Sequence, residues 1–290
     1  MLEQSTVIVA TRKSLASVVL DLATRIPRKL VRLARLGWTR CLGRQHLRVR
    51  LKSGLWFDLR PHDHLGLGIY NRETFEASLR EIILGHVQPG MVVLDIGANI
   101  GYYSVLLSHK VGPQGRVIAF EPNPNMLAEL RHNLAINNIT NVRVEPIALS
   151  NRAGELTFYL PPAGFEGHGS LAPNRSFSVA GNITVAARPL DDVLKDAGVS
   201  HVDVIKMDVE GAELLVCQGA ARLLSGPRKP IIFFEAEEHL CAPFGHRVYH
   251  LLSLLENAGF AVTQIEYGQW IARPDVPRTP GEPASRGAGA

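Results

Sequence analysis

Between residues 91 and 266 the chain alternates short apolar runs with longer stretches whose apolar residues recur at three- and four-residue spacing. The runs at 91–96, 116–120, 142–146, 202–207, 231–234 and 260–266 are short and predict strands, most of them buried. The intervening stretches 101–110, 124–137, 211–224 and 247–257 predict helices. Leu127, Leu130 and Leu134 mark a buried stripe on the second of these, and Val248, Leu251, Leu252 and Leu255 on the fourth. Strand and helix in strict alternation imply an α/β fold with a mostly parallel sheet and right-handed crossovers.

The flanks read differently. Alternation in Leu47-Arg48-Val49-Arg50-Leu51 and Leu55-Trp56-Phe57-Asp58-Leu59, broken by Ser53-Gly54, predicts a hairpin. A helix over 71–84 follows and leads to the Pro89-Gly90 turn; helix and hairpin are placed to cover one side of a site at the sheet edge. The alternation is interrupted between Ala148 and Val202, where a Gly/Pro/Ser-rich loop at 161–178 separates the apolar segments 155–160 and 183–185. A loop of that length in a compact domain is usually functional, and it reads as a substrate-facing flap. Residues 273–290 are Pro/Gly/Ala-rich without periodicity and read as a disordered tail.

The chemistry concentrates where the first strand of the series ends, at Asp95-Ile96-Gly97-Ala98-Asn99-Ile100-Gly101-Tyr102. A strand, a glycine turn and a helix start are the setting of a cofactor site in an open α/β sheet. A dinucleotide fingerprint would be Gly-x-Gly-x-x-Gly, but Asn99 and Tyr102 occupy the second and third glycine positions. S-adenosylmethionine carries no phosphate and needs fewer glycines, and its ammonium and sulfonium suit an acid such as Asp95. The next strand ends in Glu121-Pro122-Asn123, where the two carboxylate oxygens of Glu121 suit a pair of ribose hydroxyls.

Composition narrows the class. Of 290 residues 46% are apolar and 20% charged, enough for one core of about 200 residues with appendages. Cys41, Cys217 and Cys241 are too few and scattered for a disulfide framework or a Cys-x-x-Cys metal site, and a reducing cytoplasm fits them. The net charge of +4 is uneven: residues 1–50 hold eleven Lys or Arg against Glu3 and Asp21, so the remainder is net acidic. The basic excess is therefore terminal and does not mark a nucleic-acid surface. Within 14–42 it is mixed with Leu15, Val18, Val19, Leu22, Leu30, Val31 and Leu33 at helical spacing. That pattern reads as a solvated extension packed on the catalytic domain, or as peripheral membrane contact. No apolar run there reaches the roughly 18 residues of a membrane span.

Four motifs, Leu94-Asp95-Ile96-Gly97-Ala98-Asn99-Ile100-Gly101-Tyr102-Tyr103-Ser104, Ala119-Phe120-Glu121-Pro122-Asn123-Pro124, Asn141-Val142 with Ala148-Leu149-Ser150, and Ile205-Lys206-Met207-Asp208-Val209-Glu210-Gly211-Ala212-Glu213, stand in this order. Together they resemble the FkbM family of S-adenosylmethionine-dependent methyltransferases. The resemblance implies a Rossmann-like seven-stranded methyltransferase sheet with helices on both faces, spanning 71–272 after a basic extension at 1–70. It also implies methylation of a hydroxyl on a sugar, glycolipid or polyketide-type acceptor. On these motifs the cofactor-binding set is Asp95, Gly97, Ala98, Asn99, Gly101, Tyr102, Glu121, Pro122, Asn123, Ala148 and Asp208. An NAD-dependent oxidoreductase and a non-catalytic scaffold on the same fold are the alternatives.

Asp208 follows a parallel strand and so faces the same crevice as Asp95 and Glu121. Asp208 or Glu210 is expected to orient the acceptor hydroxyl or take its proton, and Glu213 to cap the following helix. His168, in Gly167-His168-Gly169-Ser170, is the other candidate base because an ordinary imidazole titrates near neutrality. Glu235, Glu237, Glu238 and His239 match no zinc spacing, so no metal is expected; Glu235 is expected to touch substrate and the others to be solvated.

Overall fold

The computed structural model describes residue 37 and residues 46–60, 62–72, 76–173 and 178–275. The chain divides between Leu47 and Arg48 into two units, and the second carries the architecture that follows. Residues 14–36, Cys41 and 276–290 lie outside the described residues, and with them the amphipathic stretch and nearly all of the expected tail.

Strands β1 (Leu47–Arg50) and β2 (Trp56–Leu59) form a two-stranded sheet, the expected hairpin. They are followed by α1 (His64–Arg72) and α2 (Ala77–His86). The single helix expected over 71–84 is thus corrected to two helices, the second ending at His86. Glu76 at the entry to α2 has φ 46°, a left-handed backbone that an uninterrupted helix cannot contain.

The central series is β3 (Val92–Ile96), α3 (Tyr102–Val111), β4 (Arg116–Phe120), α4 (Pro124–Ile136), β5 (Val142–Glu145), β6 (Ala148–Leu149), β7 (Gly154–Leu160), β8 (Gly181–Arg188), α5 (Leu190–Asp196) and β9 (Val204–Met207). It continues with α6 (Glu213–Gln218), α7 (Ala221–Ser225), β10 (Ile231–Glu235), α8 (Glu238–Cys241), α9 (Val248–Asn257), β11 (Phe260–Glu266) and β12 (Gln269–Pro274). Seven strands make the main sheet, in the order β11-β12-β10-β9-β3-β4-β5. Strands β3, β4, β5, β9 and β10 pair in parallel, and β12 runs antiparallel between β10 and β11.

Three expectations are corrected here. The helix expected over 211–224 is two short ones, α6 and α7, separated at Gly219-Ala220. Strand β12 takes in Arg273 and Pro274, which the composition had placed in the tail; its pairing with β10 and β11 is non-local and leaves no local signal beyond the apolar pair Trp270-Ile271. The interruption at 148–202 contains a three-stranded sheet, β6-β8-β7, in addition to the loop.

Burial follows the predicted stripes. Leu127, Leu130 and Leu134 on α4 and Val248, Leu251 and Leu255 on α9 are all buried, as are Leu94, Ile96, Ile118 and Phe120 in the sheet. Phe57 and Leu59 of the hairpin are buried too, and Asn137 clamps the hairpin to the end of α4. Its side-chain carbonyl accepts from Trp56 N at 2.8 Å, and its amide donates to Trp56 O at 2.7 Å. Cys217 and Cys241 are buried thiols, each pushed up to about 12 chiefly by burial, which makes them inert packing residues. Among the described residues no helix is long and apolar enough to cross a membrane.

Candidate functional site

Strand register builds the site. Ile96 pairs with Phe120 on one side and Met207 on the other, and Met207 pairs with Phe234, so four parallel strands end level. Gly97, Glu121 and Asp208, the residues just after β3, β4 and β9, and Glu235, the last of β10, therefore emerge on one edge of the sheet. All four line a single cleft of about 220 Å³. Ala98, Asn99, Tyr102, Pro122, Asn123 and Ala148 line it as well, together with Glu210 and, from the flap, His168. The predicted residues are thus brought together with two exceptions.

Those exceptions are Asp95 and Gly101. Asp95 is fully buried beneath the loop, accepts a hydrogen bond from Ser104 Oγ at 2.5 Å and lies 3.8 Å from Lys206 Nζ. It faces Ser104 of α3 and Lys206 inside the fold and does not line the cleft, where sequence alone placed it facing the ligand. Gly101 sits behind the loop, against Leu130.

Between Gly97 and Gly101 every backbone N–H has an internal acceptor. Gly97 and Ala98 donate to the Phe120 carbonyl at 3.1 and 3.0 Å, and Gly101 donates to the Ala98 carbonyl at 2.8 Å. Asn99 N donates to Glu121 Oε2 at 2.8 Å, and Ile100 N to Asn99 Oδ1 at 2.8 Å. A phosphate-binding loop needs such groups directed at the ligand; this one has spent all five. Glu121 is buried and pushed up to about 7 by that burial, and its Oε1 accepts from Asn123 N at 2.8 Å. Each of its oxygens holds one loop amide and retains a second acceptor direction, the arrangement that two neighbouring hydroxyls require.

His168 ends a one-turn 3-10 helix at Glu166–His168. Its Nδ1 lies 2.7 Å from Glu210 Oε1. Glu210 has φ 54°, a strained left-handed backbone, and its carbonyl accepts from Ser170 Oγ at 2.8 Å, so the flap holds it at two points. The hydrogen bond to Glu210 is the main cause raising the His168 pKa above its ordinary value, while burial raises that of Glu210. The flap is tied down further by Arg60, which pairs with Glu129 of α4 and lies 3.7 Å from Glu166. Asn99 Nδ2 reaches the Gly167 carbonyl at 3.4 Å.

Asp208, Glu210 and Glu235 each bring one carboxylate oxygen within 4.8 Å of the others, a spacing at which a hard cation can be held. Lys206 Nζ lies 3.6 Å from Asp208 Oδ2, and His168 Nδ1 lies 2.7 Å from Glu210 Oε1. Glu235 is pushed up to about 10 by burial and by the neighbouring Asp208 and Glu210. Glu213 is the first residue of α6, which has no side-chain cap; its Oε1 instead accepts from Val209 N at 3.0 Å and Gly211 N at 3.4 Å, in the turn before the helix. Glu237 and His239 pair with each other at 3.1 Å outside the cleft.

Sequence reading missed Lys206, Glu76, Tyr103, Asp63 and Glu166, all of which line the cleft. Lys206 did leave a trace: it is the one charge inside Val204-Ile205-Lys206-Met207, a strand buried throughout. The others reach the cleft only through tertiary packing.

Comparison with known proteins identifies the family. Residues 95–262 match the methyltransferase FkbM domain. The methyltransferase sdnD of Sordaria araneosa is 33% identical over 44% of this chain and 59% of its own length. The 2-O-methyltransferase NoeI of Sinorhizobium fredii is 31% identical over 61% of this chain and 77% of its own. The 31-O-demethyl-FK506 methyltransferase FkbM of Streptomyces tacrolimicus is 32% identical over 46% of this chain and 60% of its own. The chain therefore spans about three fifths of two of these relatives. With more than half of its length matched by the family domain, and that domain containing the loop, the acidic strand ends and the Glu210 partner of His168, the chain belongs to the FkbM methyltransferase family.

Proposed function

We propose that the chain is an S-adenosylmethionine-dependent O-methyltransferase acting on a hydroxyl of a sugar, glycolipid or polyketide-type small molecule. The observation that carries this reading is the His168–Glu210 pair at 2.7 Å, opening on the same cleft as the phosphate-free glycine loop. The acceptor class is supported by relatives whose names specify O-methylation, one of them on FK506.

S-adenosylmethionine, when bound, supplies a methyl group already activated on a sulfonium. What remains for the protein is alignment, exclusion of water and a route for one proton. Glu121 is placed for the ribose hydroxyls, while Ala98, Asn99 and Asn123 frame the loop side of the cleft. With Nδ1–H directed at Glu210, His168 presents Nε2 as the basic nitrogen, and it takes the proton that the acceptor hydroxyl gives up as its oxygen is alkylated. Asp208 orients that hydroxyl.

Two measurements test this reading. Calorimetric titration should show saturable binding of S-adenosylmethionine and S-adenosylhomocysteine and none of NAD. In Glu121→Ala the affinity for S-adenosylhomocysteine should fall by about 10- to 100-fold, the worth of hydrogen bonds to a charged acceptor; unchanged affinity removes Glu121 from the site. The proposal also dispenses with a metal, because a methyl group carried on a sulfonium is already activated and in-line attack depends chiefly on alignment. Turnover in excess EDTA is expected to stay within about twofold of the untreated value, whereas a metal-assisted reaction would stop.

A further inference from the structure

Lys206 stands at the centre of the sheet edge. It pairs in register with Asp95 on β3 and with Phe233 on β10. Its side chain is 9% exposed, yet it ends in an ammonium surrounded by acids from four elements. Nζ donates to the Gly97 carbonyl at 3.3 Å and lies 3.8 Å from Asp95 Oδ1 and 3.6 Å from Asp208 Oδ2. It also lies 5.2 Å from the centre of the Tyr103 ring, and the hydroxyl of that ring donates to Glu76 Oε2 at 2.9 Å. Asp95, Glu76, Asp208, Glu235 and Glu121 thus all feel one buried cation. Among the described residues it is the one lysine or arginine lining the cleft.

We propose that Lys206 is a positioning residue for methyl transfer, its ammonium fixing the Gly97 loop against Asp208 and supplying the counter-charge that lets the acids of the cleft coexist. The inference rests on the methyl-transfer reading of the cleft, but its physical core does not need a bound ligand. Burial opposes the charge on Lys206, and Asp208, Asp95, Glu76 and Glu235 together outweigh that, holding its pKa above the ordinary value. Conversely, burial raises Asp95, Glu76 and Glu235, and Lys206 counters part of that rise at Asp95 and Glu76. Carboxyls whose folded pKa is raised stabilise the fold at low pH, and the benefit fades as pH climbs through the folded value. Without Lys206 they rise further, so the cost of removing it must grow with pH. Packing lost with a side chain carries no such dependence.

The test compares the wild type with Lys206→Met and with the double variant Asp95→Asn/Lys206→Met, which removes one of the stranded acids and guards against failure to fold. The melting-temperature gap between wild type and Lys206→Met should widen by about 3 °C or more from pH 5.5 to 8.5. The gap for the double variant should widen less. At pH 7.5 the affinity of Lys206→Met for S-adenosylhomocysteine should be weaker by about tenfold or more, through the displaced loop. A gap constant with pH, with wild-type affinity retained, overturns the role given to Lys206 and leaves the methyl-transfer reading standing. A widening gap in a chain whose wild type binds no S-adenosylhomocysteine overturns the methyl-transfer reading and the positioning role with it, leaving Lys206 as a counter-charge alone.

Discussion

Replacing His168 with alanine is expected to lower turnover by about 10²- to 10⁴-fold, the usual worth of a positioned general base, while changing S-adenosylhomocysteine affinity by less than about threefold. The asymmetry follows from position. His168 sits on the flap and pairs with Glu210, while the amides of the Gly97–Gly101 loop are held by Phe120, Ala98, Glu121 and Asn99. The imidazole therefore has a proton to accept but no part in holding those amides. Because the Glu210 hydrogen bond raises the His168 pKa, the neutral imidazole that can accept a proton accumulates only above the ordinary imidazole value. The rate should therefore climb with pH through a value above about 6.5. Glu210→Gln keeps an acceptor at Nδ1 but removes the charge, so the acid limb should move to lower pH. If His168→Ala retains wild-type turnover, or if Glu210→Gln leaves the limb in place, the base assignment is wrong.

The second large effect is on the fold itself. Gly97→Ala is expected to destabilise the protein by about 3 kcal/mol or more and lower the melting temperature by about 6 to 12 °C. Gly97 has φ 79°, and a Cβ built on it would lie 1.8 Å from the Asp208 carbonyl oxygen. That oxygen belongs to the end of the adjacent strand and cannot swing aside, so the β3 and β9 loops would have to part. Parting them would pull the Gly97 carbonyl away from Lys206, which stands on β9. Gly112→Ala provides the control: its φ of 67° is similarly unfavourable for an L residue, but nothing lies within 4 Å of its added carbon. Its cost should be only the backbone term of about 1 to 2 kcal/mol. Equal losses in the two variants would mean that strand contact at Gly97 contributes little.

Much of this site is legible in the sequence. Gly97, Glu121 and Asp208 are legible because each follows an apolar strand, and parallel strands deliver their carboxyl ends to one edge. Reading the loop as unsuited to a pyrophosphate, from the residues at the glycine positions, agrees with the five loop amides being occupied internally. Asp95 was legible as a strand-end acid but misplaced. Which way it points depends on Lys206 and Ser104, one of them more than a hundred residues distant. His168 and Glu210 were each singled out, for different reasons, and nothing in sequence joins residues 42 positions apart on a flap and a strand end.

Sequence by itself determined the alternating α/β plan with a mostly parallel sheet, the buried helix stripes and the family. These depend on periodicity and on short motifs, which are local quantities. The tertiary structure decided what periodicity cannot carry: the antiparallel insertion of β12, the splitting of two expected helices, the second sheet β6-β8-β7, and the joining of His168 to Glu210. It also decided the charge balance. A lysine in an apolar strand is only an anomaly on paper; it becomes the counter-charge of the cleft once three neighbouring strands and a helix entry bring their acids around it, because electrostatic energy depends on distance in space and on burial.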